Sequence, residues 1–322
     1  MNLEPNDLQQ GLADAARALL ERQAPVGDLV SRDDLTSLYD RVWTQAAEQG
    51  WLAIGLSEDA GGLGLGLAEE LMVFRELGRF VTPGPFLTSV LSARVAAAAG
   101  DAALVEAISS GERRVGAISG AVAVGVRPGD LALKVDEAGG ELVEVDGLAA
   151  TKPMDPHTSA ASFTGLTTVA RADDPTLISR GRVLAAAELL GIIEAVRDMS
   201  AEYAKVRHQF GKPIGSFQAV KHRCADMAIA AIATVGEVFQ AGLYVDADHP
   251  DAAFHAASAY VLAAKGAYRS AADNIQNHGG IGFTWEHPAH LYLKRAVVLE
   301  NLFGPLRASY GAVLAPARHE FR

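Results

Sequence analysis

The chain has 322 residues, 49% hydrophobic and 21% charged, and its 28 basic residues against 39 acidic ones give a net charge of −11. That length exceeds a usual single core and implies two or three subdomains, while the absence of any basic stripe makes nucleic acid and anionic membranes poor partners. The single cysteine, Cys224, rules out an internal disulfide and a thiolate zinc site, and reads as a small core residue on a helix.

The opening Met1–Asp7 is polar and acidic where a signal peptide is basic then apolar, and no uninterrupted apolar run reaches membrane-span length. A cytoplasmic location is the default expectation. From about Asp7 to Gln49 the spacing of Leu8, Leu12, Ala15, Ala16 and Leu19 predicts amphipathic helices, two in all, with Asp33 or Asp34 capping the second. The glycine-rich Gly50–Gly64 leads into a helix over Leu67–Phe80. Gly62, Gly64 and Gly66 lack the offsets and the βαβ setting of a dinucleotide fingerprint. After Pro83-Gly84-Pro85 a helical pair follows, about Leu87–Ala99 and Asp101–Ser109.

Between Arg114 and Val169 the period changes to short alternations, Leu131–Val135 and Glu141–Val145, with turn signals at Gly139-Gly140 and Asp146-Gly147. Helical periodicity returns over Arg182–His208, Phe217 to about Val245, Ala252–Gln276 and after Pro288, which describes an up-and-down four-helix bundle. The reading is therefore mainly α with a small β insert. Its parts are an N-terminal helical domain (1–112), a small middle β domain (113–175) and a C-terminal four-helix bundle (176–322).

Two loops between these helices carry chemistry. Arg207-His-Gln-Phe-Gly211 with Lys212-Pro213, and Gln276-Asn-His-Gly-Gly-Ile-Gly-Phe-Thr284, set glycine backbone beside arginine or glutamine, a combination suited to a diphosphate. Alone, either is equally well read as a helix end, with Arg207 complementing a C-terminus and Gly279-Gly280 forming a C-cap.

Together with Gly50-Trp51 through Gly61-Gly62-Leu63-Gly64, with Phe217-Gln218 and Ala225-Asp226-Met227, and with Leu291-Tyr-Leu-Lys-Arg295, these motifs resemble the acyl-CoA dehydrogenase family over nearly the whole chain. The resemblance implies that family's fold and FAD lying across a subunit interface. Arg207 and Gln209 would face its pyrophosphate, Phe210 its adenosine end, and Gln276, Gly279 and Gly280 would line the same dinucleotide.

The pattern departs from the family where the catalytic glutamate belongs. Gly304 holds one of the family's base positions and Gly181 the other. The flavin-ring wall is also reduced, with Ile118–Gly125 in place of the usual stretch and Thr151-Lys152-Pro153 as a remnant. The resemblance thus implies the shorter, non-base-bearing subunit of an α2β2 acyl-CoA dehydrogenase. A full-length paralogue would supply the glutamate, and an electron-transfer flavoprotein would take the electrons. A steroid side-chain thioester is one substrate it implies.

Two other readings stay open: a homo-oligomeric enzyme with a displaced base such as Glu300 or Glu286, and a structural or regulatory bundle that has lost FAD. His278, His287 and His290 read as surface or capping residues and no metal is expected. Glu194, Asp198 and Glu202 read as an exposed helix face.

Overall fold

The computed structural model describes residues 4–31 and 35–314; Asp33 and Asp34, expected to cap a helix, lie outside the described residues. The chain opens with α1 (Asp7–Gln23), entered through a capping box in which the Asn6 side chain accepts from the Gln9 N–H and Gln9 Oε1 accepts from the Asn6 N–H. A single turn, α2 (Asp28–Ser31), precedes α3 (Thr36–Glu48). On α3, Leu38, Val42, Trp43 and Ala46 recur at helical spacing and form the buried stripe.

The next three helices are α4 (Leu67–Arg79), α5 (Phe86–Ala98) and α6 (Ala102–Ser109), each within two residues of its expected bounds. α5 is apolar on nearly every side and is buried accordingly, with Val90, Leu91 and Val95 almost fully enclosed. Each such side chain contributes about 1.5–3 kcal/mol by leaving water.

The sheet has seven strands: β1 (Val115–Ser119), β2 (Val122–Val124), β3 (Leu131–Asp136), β4 (Gly139–Asp146), β5 (Ala149–Ala150), β6 (Ala160–Ser162) and β7 (Gly165–Ala172). Their order is β5-β6-β2-β1-β3-β4-β7, antiparallel except for β1 beside β3. One expectation is corrected here. Gly139-Gly140 is not the turn but the start of β4, paired with Asp136 and Val135, so Glu137-Ala138 makes the turn. Glycine is needed at 139 because its φ is +149° and a β-carbon would sit 2.1 Å from the Ala172 carbonyl oxygen.

The second helical block contains α7 (Thr176–Val206), a two-residue ribbon β8 (His208–Gln209) and β9 (Lys212–Pro213), α8 (Gln218–Asp246), α9 (Ala252–His278), α10 (Ala289–Asn301) and α11 (Leu306–Leu314). α4 crosses α7 at two glycines. A β-carbon on Gly78 would lie 1.9 Å from the Glu188 carbonyl oxygen, and one on Gly191 1.9 Å from that of Arg75. Beside this crossing Arg75 forks onto Glu194 at 2.7 and 2.5 Å, while Arg79 reaches Glu194 at 3.0 Å and Asp198 at 3.1 Å. Glu194 is therefore buried, not part of an exposed face, whereas Asp198 and Glu202 are exposed as expected. A carboxylate is tolerated there because two guanidiniums from α4 replace its water.

α8 is long and apolar enough to cross a membrane by length and mean hydropathy, 1.5 over its best window, although Asp226 and Glu237 interrupt its apolar run as expected. Its inward side, including Met227, Ala231, Val238 and Ala241, packs in the bundle. Ile229 and Ile232 on the same helix stand exposed at 64% and 72%. The helix is thus apolar on two sides, and only one of them is covered within this chain.

Candidate active site

Both expected loops fall at one end of the bundle. α7 and α9 run in the same direction, and near their C-termini the Tyr203 and His278 rings stack at 4.3 Å while Asn277 Nδ2 donates to Ser200 Oγ at 2.7 Å. Beyond that clamp, Arg207, Gln209, Gln276 and Gly280 are exposed. Phe210 is 90% exposed and takes φ +53°, touching Phe217 edge-on at 6.1 Å. Arg207 and Gly279 also serve the helix ends, as the C-cap residues of α7 and α9, and Gly279 has φ +63° with nothing within 4 Å of a built β-carbon. No described residue pairs with the Arg207 guanidinium, and the arrangement leaves an exposed cation beside open glycine backbone.

Two of the three histidines differ from expectation. His278 and His290 are buried, not on the surface, and His278 Nδ1 bonds the Asn274 carbonyl at 2.8 Å. His287 Nδ1 accepts the Ala289 N–H at the start of α10, which is a capping role. Cys224 is half-buried on α8.

The two base positions converge. Gly181 on α7 faces Phe303 just past α10, and a β-carbon on Gly181 would lie 2.7 Å from the phenyl ring. Gly304 has φ +85° with open space around it, a backbone state that penalises any side chain. Neither Glu300, half-buried on α10, nor the exposed Glu286 lines the interior cavity.

That cavity, about 300 Å³, lies between the start of α5, the sheet, α7 and α10. The Pro153–Ser159 loop forms one wall and is pinned by a buried ion pair: Arg295 Nε donates to Asp155 Oδ2 at 2.6 Å, and Arg295 Nη1 to the Thr82 carbonyl at 2.7 Å. Burial alone would raise the Asp155 pKa, but Arg295 and the His157 N–H hold it below the usual carboxylate value. His157, lowered to about 4 chiefly by burial, is neutral at pH 7. Burial pushes the Tyr39 hydroxyl pKa up, so it stays protonated, and it shares a 2.5 Å hydrogen bond with His157 Nδ1.

Glu188 on α7 also lines the cavity; it is buried and raised to about 7 by desolvation, against the opposing charge of Arg295. Sequence reasoning missed Glu188, Asp155 and Arg295 as a group. The one available signal was a carboxylate inside the apolar run Ala185-Ala-Ala-Glu-Leu-Leu190.

Residues 6–107 match the model of the acyl-CoA dehydrogenase N-terminal domain and residues 175–307 that of the C-terminal domain. Acyl-CoA dehydrogenase IpdE2 of Mycobacterium tuberculosis is 35% identical over 306 residues, 91% of this chain and 92% of that protein. The chain belongs to the acyl-CoA dehydrogenase family.

Acyl-CoA dehydrogenase FadE34 of the same organism is 36% identical over 82% of this chain, which spans only 40% of that protein. Among solved structures, the ChsE4-ChsE5 complex from Mycobacterium tuberculosis matches with a TM-score of 0.82 at 26% identity, covering 98% of this chain and all of that one. A steroid acyl-CoA dehydrogenase variant, Tcur3481-Tcur3483, matches with a TM-score of 0.81 at 23% identity over 95% of this chain and 96% of that one. The cofactor of this acyl-CoA dehydrogenase family is FAD. The exposed cation and open glycines at the bundle end fit its anionic phosphates.

Proposed function

We propose that this acyl-CoA dehydrogenase chain is the non-base-bearing subunit of an FAD-dependent assembly that converts an acyl-CoA to its trans-2-enoyl-CoA. The observation that carries the reading is the Phe303 ring over Gly181. The reaction needs a carboxylate within hydrogen-bond reach of the carbon α to the thioester, and here an aromatic ring fills that space. Gly304, at φ +85°, adds no carboxylate. FAD, when bound, supplies the hydride acceptor.

What this chain contributes is the nucleotide end of the cofactor site. Arg207 and Gln209 would hold phosphate oxygens, Phe210 would cover the adenosine, and Gln276, Gly279 and Gly280 would line the dinucleotide. A full-length paralogue provides the glutamate and the flavin-ring seat. Support comes from the exposure of these residues and from the uncovered apolar side of α8, Ile229 and Ile232 with Leu262 on α9, which calls for a protein partner. The two-component ChsE4-ChsE5 complex supports an α2β2 assembly, and the steroid dehydrogenase supports a steroid side-chain thioester as substrate. An electron-transfer flavoprotein would take the electrons, and the setting would be the cytoplasm.

The test is expression of the chain alone and with a full-length paralogue, followed by flavin spectra, native mass and dehydrogenation of CoA thioesters. Flavin and activity only in the pair are expected. Activity of the chain alone would favour a homo-oligomer with a displaced base, and flavin content unaffected by this chain would favour a structural bundle.

A further inference from the structure

The first turns of α10 hold an amine and an imidazole that have no part in the function proposed above. His290 and Lys294 are four residues apart and share one face of the helix, and His290 Nδ1 lies 3.3 Å from Lys294 Nζ. Trp285, just before the helix, covers both: its ring centroid is 3.8 Å from Lys294 Nζ, and the His290 ring meets it edge-on at 4.7 Å. Neither His290 nor Lys294 lines the interior cavity.

A lysine side chain is ordinarily an ammonium, which has no lone pair to attack with. Lys294 is placed otherwise. No described carboxylate lies within ion-pair distance of its Nζ, since Asp155, the negative charge it feels, is already held by Arg295 at 2.6 Å. The indole face attracts an ammonium, yet burial, and with it the charge of Lys152, holds Lys294 below the ordinary lysine value against the pull of Asp155. His290 is 9% exposed and is also lowered, by burial first and then by Lys294, so it is a neutral imidazole at mildly alkaline pH. The amine therefore gives up its proton more readily than usual, beside a base that takes it. Lys134 on β3 shows the contrast: it is exposed, and its ammonium is paired with Glu141 at 3.6 Å.

We propose that Lys294 is a site of covalent acylation by CoA thioesters, with His290 as the neighbouring base. The Lys294 nitrogen attacks the thioester carbonyl carbon, the N–C bond forms as the C–S bond breaks, and the amine proton passes through His290 to the departing thiolate. The products are an Nε-acyl-lysine and free CoA, and nothing is oxidised or reduced. Acylation cancels one positive charge at the head of α10 and the ammonium's contact with the Trp285 ring. The substrate class of the family supplies the donor. Which subunit bears the catalytic glutamate does not enter, because acylation is read by mass and dehydrogenation by turnover.

The test is incubation of the native assembly with isotope-labelled acetyl-CoA at mildly alkaline pH, followed by digestion and mass spectrometry. Lys294 should be acetylated several times faster than Lys134, and Lys294→Arg should remove that mark alone. His290→Phe, which keeps a ring but no base, should bring Lys294 down to the rate of Lys134 and leave Lys134 unchanged. Should His290→Phe fail to fold, the unmutated protein decides: the rate at Lys294 followed against pH should level off below 10.5, the ordinary lysine value. Acetylation of Lys294 no faster than that of Lys134, a Lys294 rate untouched by His290→Phe, or a rate still climbing past pH 10.5 would overturn the proposal.

Discussion

Gly181 and Phe303 occupy one space: the phenyl ring lies where a side chain at 181 would have to go, with Leu91 Cδ1 closing the third side at 3.1 Å. A methyl group at 181 must therefore displace a buried ring. Gly181→Ala should destabilise the protein by about 1–3 kcal/mol, as overpacking of a core does. Adding Phe303→Ala should make the effect of the 181 change much smaller. Denaturant melts of the two single variants and the double variant measure this coupling, and additive losses would contradict it.

Arg207→Ala should lower the FAD content of the assembly without changing its fold. The lost charge-assisted contact is worth about 1.5–3 kcal/mol, or roughly ten- to a hundredfold in flavin affinity. Arg207 is exposed on a loop and bonds no described side chain, so the bundle should keep its melting temperature. Flavin titration of the variant complex, with circular dichroism as the control, reads both.

Stability should depend on pH through Glu188. Its folded pKa, about 7, lies above the ordinary 4.5, so the folded state holds the proton more tightly than the unfolded chain. The associated stability is complete below about pH 4.5 and is lost as pH rises to 7. Glu188→Gln removes that loss. It should stabilise the protein by roughly 2–3 kcal/mol at pH 8 and by almost nothing at pH 4. Urea denaturation of both proteins across this range checks the sign.

Asp155→Ala should be severely destabilising, by about 3–5 kcal/mol, because it leaves Arg295 charged and buried with only the Thr82 carbonyl. The damage should be largest in the Pro153–Ser159 loop. Hydrogen exchange should report early opening at His157 and Thr158, whose contacts with Asp155 are lost.

Much of the fold was legible because helices announce themselves locally. The period around Val183, Leu184 and Ala187 marks α7, and the alternation of Leu131, Leu133 and Val135 marks β3. What stayed hidden depends on partners far away in sequence. Glu194 looks solvated until Arg75 and Arg79 arrive from 115 or more residues upstream, and Asp155 meets Arg295 across 140. Gly139 was misplaced for a similar reason, since its close neighbour, the Ala172 carbonyl, is on another strand. At the site, the motif wording located Arg207 and Gln276, and the empty base positions were visible as glycines. That a ring fills the space at Gly181 was not, because no local pattern links residue 181 to residue 303.

The glycine-on-glycine crossing of α4 and α7 has a mechanical consequence. With the Gly78 and Gly191 backbones seated against each other's carbonyls, the two helices interlock like gear teeth, and a ratchet of one turn would drive side chains into main chain. The amino-terminal helices and the bundle therefore cannot hinge apart to admit a guest. On the sheet side the interior is closed instead by the Pro153–Ser159 loop, which a single guanidinium, that of Arg295, ties down through Asp155.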